Sequence, residues 1–431
     1  MFHLGMLSFP IQTHNSIGTW KSENYLFDRS FDRPELWIEV AKACEDARFD
    51  FLFAADSEGI FAEYQNSRDG TLKGGKFVPA FDQTVVADYI LAHTRHLGVV
   101  ATVSTTASQP YLTARRFASM DHLSRGRIAW NIVTSTHKAG VLGVGLTELP
   151  SHDDRYAQAD EYVDLCKALW QGWDEGAVVV DKHNDVFIDP TKVHDIHFEG
   201  RFYRSYAPLN LHRSPQAGPV LAQAGASKVG IAFAARHAEL MFAIQPYREG
   251  MKSYHDRVKA AAADAGRDPS SVKVMFAMNA FVGESEAEAR EKYDRHRAMI
   301  TPEGAMVTMS GLLGVDLSTV DPTAPISELQ VPGAQGHIEA WSKSGHNTVF
   351  DATIGHAAGA GMAFVGTAEQ IVEQMHDVMA YVGGDGFVYH PLYLPYDLLE
   401  FTGKVVPLLQ KSGLTRKDYS GGTLRDNLVA F

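Results

Sequence analysis

The sequence predicts an α/β fold: a (β/α)8 barrel (TIM barrel) with two lid-forming insertions and a C-terminal tail. Three observations predict it. Short apolar strands alternate with helices from end to end, eight strands in all. Hydrogen-bonding residues gather just after the strands, at the end where barrel enzymes build their sites. A chain of 431 residues, 45% hydrophobic and 21% charged, has an ordinary soluble composition and a length that one barrel with insertions fills.

The elements follow in order. Leu4–Phe9 reads as the first strand, and Pro34 suits the first turn of the helix Pro34–Ala47. Strand Phe51–Ala54, helix Phe81–Thr94, strand Leu97–Thr102, helix Tyr111–Leu123, strand Ile128–Val133 and helix Asp154–Gln171 continue the rhythm. Gly172–Pro219 interrupts it with aromatic and polar residues and with Pro190, Pro208, Pro215 and Pro219. Strand Val220–Gln223, helix Ser227–Arg236, strand Leu240–Ala243, helix Gly250–Ala265, strand Val272–Val282 and helix Ser285–Arg297 resume it. Ile300–Gly361, rich in Gly, Met, Ser and His, interrupts again. Helix Thr367–Val382 carries a capping-box pattern in Thr367 and Gln370 and a glycine stop at Gly383-Gly384. Strand Gly386–Tyr389 and helix Tyr396–Gln410 close the series. Long connections without secondary structure are rare unless they are lids, so both insertions are expected to fold over the barrel mouth. The expectation is one domain over 1–431, with insertions at about 172–219 and 300–361 and an extension at about 412–431. That tail is polar and is expected along the outside or on a partner subunit.

The formal charge of −13 comes from interleaved acidic and basic residues, with no basic stripe, which argues against nucleic acid and anionic membrane as partners. Cys44 and Cys166 lie in apolar-periodic helices and read as buried small residues; there is no CxxC pattern. The start, Met1-Phe2-His3-Leu4-Gly5, reads as a strand and not as a signal peptide, and no apolar run reaches a membrane span. A cytoplasmic enzyme is the expectation.

Several stretches carry a resemblance: Phe49–Asp56, Thr102–Thr106, Pro110-Tyr111 with Ala114-Arg115-Arg116, and Leu123–Asn131. It continues through His152–Tyr156, Asp160-Glu161, Arg213–Gln216, Pro219–Gly225 and Val405-Val406-Pro407. In these the chain resembles the bacterial-luciferase-like flavin monooxygenases, in the branch of nitrilotriacetate, dibenzothiophene sulfone and long-chain alkane monooxygenases. The resemblance implies a barrel that binds reduced FMN supplied by a separate NAD(P)H:flavin reductase. It implies O2 as co-substrate and transfer of one oxygen atom to a small organic substrate such as a sulfone, amine or hydrocarbon. Whether oxygen attacks the flavin at C4a or N5 stays open. A homodimer or homotetramer is implied too. Carried over by position, the FMN contacts would be Asp56, Thr102 or Ser104, Asn131, His152, Tyr156 and Ser227.

The residues themselves speak to the same sites. Ser227 follows Gly225-Ala226 after a strand and opens a helix, where a hydroxyl and free N–H groups favour a phosphate; a plain N-cap explains it equally well, and the resemblance favours the phosphate, with Ala226 beside it. The Gly-Ala-Ser step is too short for a dinucleotide fingerprint. His152 and Tyr156, four apart at a helix start, can share one face; the competing reading is a capping cluster with Asp153 and Asp154. Asp56 ends the second strand, and Asn131 and Thr134 end the fourth, where amide and hydroxyl groups suit flavin ring atoms or loop caps. His14, after the first strand, and His137, after the fourth, are acid–base candidates with Asn131; the branch often has a histidine at both places. Phe9, Trp20, Phe61, Met306, Met309 and His346 are expected around the substrate, and Arg68, Lys73 and Lys76 keep an anionic substrate open. His194 and His197 invite a metal, but they sit in a hairpin-like stretch without a third ligand, so no metal is expected. Two other reaction classes fit a barrel: a deazaflavin-dependent hydride transfer and a metal-dependent hydrolysis.

Overall fold

The barrel strands of this chain are mostly short and apolar. In order, all the strands are β1 (His3–Ser8), β2 (Phe51–Ala54), β3 (Gly98–Ser104), β4 (Ile128–Val133), β5 (Val178–Asp181), β6 (Val186–Ile188) and β7 (Phe198–Glu199). After them come β8 (Arg204–Ser205), β9 (Val220–Gln223), β10 (Leu240–Ala243), β11 (Lys273–Val282), β12 (Met362–Gly366) and β13 (Gly386–Tyr389). The helices are α1 (Glu35–Asp46), α2 (Asp69–Gly74), α3 (Gln83–His93), α4 (Pro110–Ser124), α5 (Lys138–Gly143), α6 (His152–Gln171), α7 (Lys228–His237) and α8 (Arg248–Asp264). They continue as α9 (Glu286–Met299), α10 (Pro302–Leu313), α11 (Val349–Ala357), α12 (Ala368–Val382), α13 (Tyr396–Glu400), α14 (Val406–Lys411) and α15 (Leu424–Val429). These come from a computed structural model that describes residues 1–8, 18–23, 33–135, 138–331, 338, 341–342, 347–359 and 361–431.

Eight strands close a parallel barrel in the order β1-β2-β3-β4-β9-β10-β11-β13, and β13 pairs back to β1. The predicted fold class holds. Strand alternation sorts the core into two. Leu7, Phe53, Val100, Ala129, Ala277 and Val388 share the apolar barrel interior. Their chain neighbours Met6, Leu52, Val99, Trp130, Phe276 and Phe387 face outward and pack under the helices. Thr367 and Gln370 form the capping box of α12, and Gly383 ends it in the left-handed conformation. β12, which the alternation did not predict, pairs with the far half of β11, from Met278 to Val282. Its five residues lie directly against a glycine-rich insertion and a helix cap, so the run is too short to stand out.

The first insertion corrects an expectation. It folds into two hairpins, β5–β6 and β7–β8, away from the mouth. Glu161 of α6 accepts hydrogen bonds from the N–H groups of Phe202 (2.8 Å) and Tyr203 (2.5 Å). Gln216 donates to Asp121 at the end of α4 and to the Ile128 carbonyl at the start of β4. The segment joins the end of α6 to the start of β9, and both lie at the barrel end opposite the mouth.

The second insertion does stand at the mouth end. Met306, Met309, Leu317, Ile326, Trp341 and Val349 give it a small apolar core of its own. Gly311 of α10 lies so close to Phe61, in the segment after β2, that a Cβ there would overlap the ring. Asp316 accepts from the Gln65 N–H at 3.0 Å.

The tail corrects a second expectation. Leu424 and Leu428 of α15, four apart on one helix face, join the apolar interior of the barrel. Arg416 pairs with Asp50 at 2.6 Å, both buried, and Tyr419 donates to the Phe49 carbonyl at 2.7 Å. Lys273 donates to the carbonyl oxygen of Phe431 at 2.9 Å. The tail therefore seals the end of the barrel where the strands begin.

Candidate active site

The stretch Trp130–Ser135 alternates across β4. Trp130 points outward, donates to the Val103 carbonyl at 3.0 Å and packs against Phe117 and Trp170. Asn131 points inward, and its amide donates to the Thr102 hydroxyl at 2.9 Å, which donates in turn to the Ala54 carbonyl at 2.8 Å. The other end of the Asn131 amide, Oδ1, is buried without a hydrogen-bond partner. An orphaned buried acceptor costs about 1–3 kcal/mol. A ligand N–H at this place would remove that cost.

A second group of side chains meets at the N-terminus of α7. Ser227 caps the helix, its hydroxyl accepting from the Gly230 N–H at 3.0 Å. His152 Nε2 lies 3.4 Å from the Ser227 hydroxyl, and its ring tilts against Tyr156 at 5.0 Å. Gln223 donates to the Tyr156 hydroxyl at 3.3 Å and accepts from the Gly225 N–H at 2.6 Å. Tyr254 holds the Gly225 carbonyl at 2.8 Å. Burial raises the pKa of the Tyr156 phenol, so it stays a donor; hydrogen bonds to Gln223, Ser227 and Thr134 act against that rise. Thr134 thus links this group to the end of β4. A Cβ on Gly225 would lie 2.5 Å from Gln223 Nε2 and 3.0 Å from the Tyr156 hydroxyl, so only glycine leaves this cradle open. Backbone N–H groups of a first helical turn, a serine, a histidine and a tyrosine together make an anion cradle.

On the other side, Asp56 lies two residues after β2 and lines a cavity of about 890 Å³ with Glu58, Phe77, Asp82, Thr102 and Arg116. The anion cradle is not part of its lining. Burial first, and then the charges of Glu58 and Asp82, raise the Asp56 carboxyl to about 7, against a hydrogen bond from the Ser57 N–H. Ser104 is fully buried at the end of β3. Its hydroxyl lies 2.6 Å from that of Ser135 and accepts from the N–H groups of Thr106 and Ala107 at 3.1 and 3.2 Å. It organises the turn after β3.

The structure brings Thr102 to Asn131, and Thr134, His152, Tyr156 and Ser227 to one another with Ala226 in the turn before Ser227; Asp56 lines one cavity with Thr102. Phe61 is buried edge-on against Phe77, which lines the cavity. Met306 and Met309 do not line it: both belong to the insertion's own core. Their i, i+3 spacing is that of a helix face buried in its own subdomain. Trp20 is 39% exposed and donates to the Gly74 carbonyl at 3.2 Å. Phe9, His14, His137 and His346 lie outside the described residues. His194 pairs with Asp174 at 2.8 Å in an exposed position. Among the described residues no group of three or more His, Cys, Asp or Glu side chains is placed to hold a metal.

The sequence reading missed Arg155. It is buried between His152 and Tyr156, donates to the Pro150 carbonyl at 2.6 Å, and leaves Nε buried without a partner. An arginine beside a serine-capped helix start is a phosphate signal, but in sequence it reads as one more charge in an acidic helix start.

Comparison with known proteins gives the family. The family described as luciferase-like monooxygenase matches residues 10–386. The chain is 36% identical over 436 residues to dibenzothiophene-sulfone monooxygenase of Rhodococcus erythropolis, covering 98% of this chain and 95% of that protein. It is 33% identical to dimethyl-sulfide monooxygenase of Hyphomicrobium sulfonivorans, over 97% of this chain and 88% of that protein. The crystal structure of a riboflavin lyase with modified FMN and riboflavin superposes with a TM-score of 0.92 at 33% identity, over 100% of this chain and 96% of that one. An F420-dependent secondary alcohol dehydrogenase, at 14% identity and a TM-score of 0.58, shares the fold alone. The chain therefore belongs to the luciferase-like monooxygenase family.

Proposed function

We propose that this protein is the oxygenating component of a two-component system, taking FMNH2 from a separate NAD(P)H:flavin reductase and using O2 to oxygenate a small organic substrate. One observation carries the reading. An orphaned acceptor in the barrel, Asn131 Oδ1, stands on the same strand end as Thr134, which neighbours Tyr156 of the anion cradle at the start of α7. A cofactor with a hydrogen-bonding ring and a phosphate tail needs that pair of features.

Ser227, Tyr156, His152 and Arg155 would hold the phosphate, with Gly225 leaving room for it. Asn131 would accept from a ring N–H, and Thr102 would fix the amide that does so. Asp56, raised to about 7, is about half protonated at neutral pH, and in that form can donate a hydrogen bond where a charged carboxylate would repel an electron-rich ring. Reduced FMN supplies the two electrons that let one atom of O2 enter the substrate while the other leaves as water. The protein's part is orientation and exclusion of water. The second insertion, seated on the segment after β2, supplies cover at the mouth. Sulfones, sulfides, amines and hydrocarbons are the substrate classes the related enzymes suggest.

The test is a reconstituted reaction with a flavin reductase, NADH, FMN and 18O2, run against a panel of those classes. One labelled oxygen atom in the product is expected. A product that gains hydride without label would contradict the proposal.

A further inference from the structure

The segments that leave β2, β3 and β4 are tied together through one buried hydroxyl. Ser104, at the end of β3, accepts from the N–H groups of Thr106 and Ala107 at 3.1 and 3.2 Å. A serine hydroxyl has two lone pairs, and these two bonds use them. Its own proton therefore goes to the Ser135 hydroxyl, 2.6 Å away. Ser135 donates in turn to Glu58 Oε2 at 3.4 Å. The chain of hydrogen bonds runs one way, from β3 through the turn after β4 to a carboxylate in the segment after β2. Burial raises the pKa of Glu58; the bond from the Ser135 hydroxyl and a second from the Ser104 N–H act against that rise, and the charge of Asp82 adds to it.

The backbone on both sides of this chain is constrained. Ser135 stands in the left-handed region, at φ 50°, where a residue other than glycine persists only if its surroundings hold it. Just before it, the Thr105 N–H donates to the Val133 carbonyl at 2.9 Å, and the Thr106 hydroxyl donates to the Thr134 carbonyl at 2.9 Å. Thr134 is thus held from one side by Thr106 and from the other by the Ser135 turn. Glu58 starts from an equally fixed place, because its segment touches α5 backbone to backbone. A Cβ on Gly59 would lie 2.8 Å from the carbonyl carbon of Ala139, and one on Gly140 would overlap the Glu58 carbonyl.

We propose that Glu58 is a positioning residue of the cofactor site: its carboxylate fixes the Ser135 turn, and that turn holds Thr134 against the Tyr156 hydroxyl. The proposal rests on the flavin reading above, in which Tyr156 holds the phosphate, and adds a group outside the cradle. Glu58 acts through two links, Ser135 and then Thr134, whose hydroxyl meets that of Tyr156. Without the carboxylate, Ser135 loses the acceptor that holds its left-handed turn, and Thr134 moves off Tyr156. Glu58 also acts on Asp56 through its charge, and the test has to separate that effect from the clasp.

The test is an anaerobic titration with FMNH2 of the full-length wild-type protein and of Glu58→Ala, Glu58→Gln, Ser135→Ala and the Glu58→Ala, Ser135→Ala double variant. Glu58→Ala and Ser135→Ala should each weaken binding about fivefold, what one neutral hydrogen bond contributes. The double variant should bind no more weakly than either single one, since both cut the same chain. Glu58→Gln keeps an accepting oxygen for Ser135 while losing the charge beside Asp56, so its dissociation constant should stay near the wild-type value. Equal weakening in Glu58→Gln and Glu58→Ala would assign the effect to charge and overturn the proposal. So would additive losses in the double variant, or unchanged affinity in Glu58→Ala and Ser135→Ala. Should Glu58→Ala fail to fold, the pair Ser135→Ala and Glu58→Gln decides: the first weakened and the second near wild type supports the proposal, and any other pattern overturns it. All these outcomes leave the flavin reading standing; absence of FMNH2 binding by the wild type overturns both.

Discussion

At the scale of single residues, the site is held by groups whose direction decides their use. Asp56 gives a pH-dependent prediction. Its folded-state pKa of about 7 lies above its unfolded value of 3.8, so the folded protein binds that proton more tightly. Stability is then lost as pH rises from about 4 through 7, and the loss is complete above it. Asp56→Asn removes the penalty. The expected gain is on the order of 1–2 kcal/mol at pH 8, reduced from the full shift because the side chain keeps some solvent, and near zero at pH 4. Urea midpoints at the two pH values check it; an equal midpoint shift at both would contradict the assignment. Gly225→Ala places a methyl group against Gln223 and the Tyr156 hydroxyl. FMNH2 affinity should fall about tenfold, or about 1.4 kcal/mol, and an unchanged dissociation constant in an anaerobic titration would show that the cradle is not used. Thr102, Asn131, Tyr156 and Ser227 were legible in the sequence because strand ends and helix starts announce themselves. Arg155 was not: its position depends on the packing of α6.

At the scale of elements, the two corrections have one cause. The pattern of apolar residues shows where an insertion interrupts a barrel, and it does not show which end of the barrel the insertion covers. That is set by which elements it joins. Gly172–Pro219 leads into β9, whose first residue pairs with Ala129 near the start of β4, away from the mouth, whereas the second insertion leads into β12, whose first residue pairs with Met278 in the mouth-side half of β11. The tail was misplaced for a different reason. Leu424 and Leu428 are two apolar residues in a polar stretch, and only the open end of the barrel gives them somewhere to go. Its anchor is the buried pair of Arg416 and Asp50, to which His3 adds a contact at 3.1 Å. Removing one partner of a buried pair leaves an uncompensated charge. Arg416→Ala should therefore cost about 3–5 kcal/mol in denaturant unfolding. A loss below about 1 kcal/mol, the range of an exposed pair, would mean that the tail is not a structural seal.

At the scale of the whole molecule, the barrel is apolar from its sealed end up to Val100, Ala129, Ala277 and Val388, and polar above them. That gradient was legible in outline, since the alternation of strands and helices gives the barrel and the polar residues after the strands give the working end. What covers the mouth was half legible: the second insertion is there, but its methionines fill its own core. The central claim is that the cradle at the start of α7 and the orphaned amide of Asn131 belong to one FMNH2 site. Anaerobic titration with FMNH2 of the wild-type protein and of the Ser227→Ala, Tyr156→Phe double variant tests it most directly. Saturable binding by the wild type, weakened about tenfold or more in the double variant, is the predicted result, two hydrogen bonds to a charged phosphate being lost. Equal dissociation constants in the two proteins, or no binding by the wild type, would contradict it.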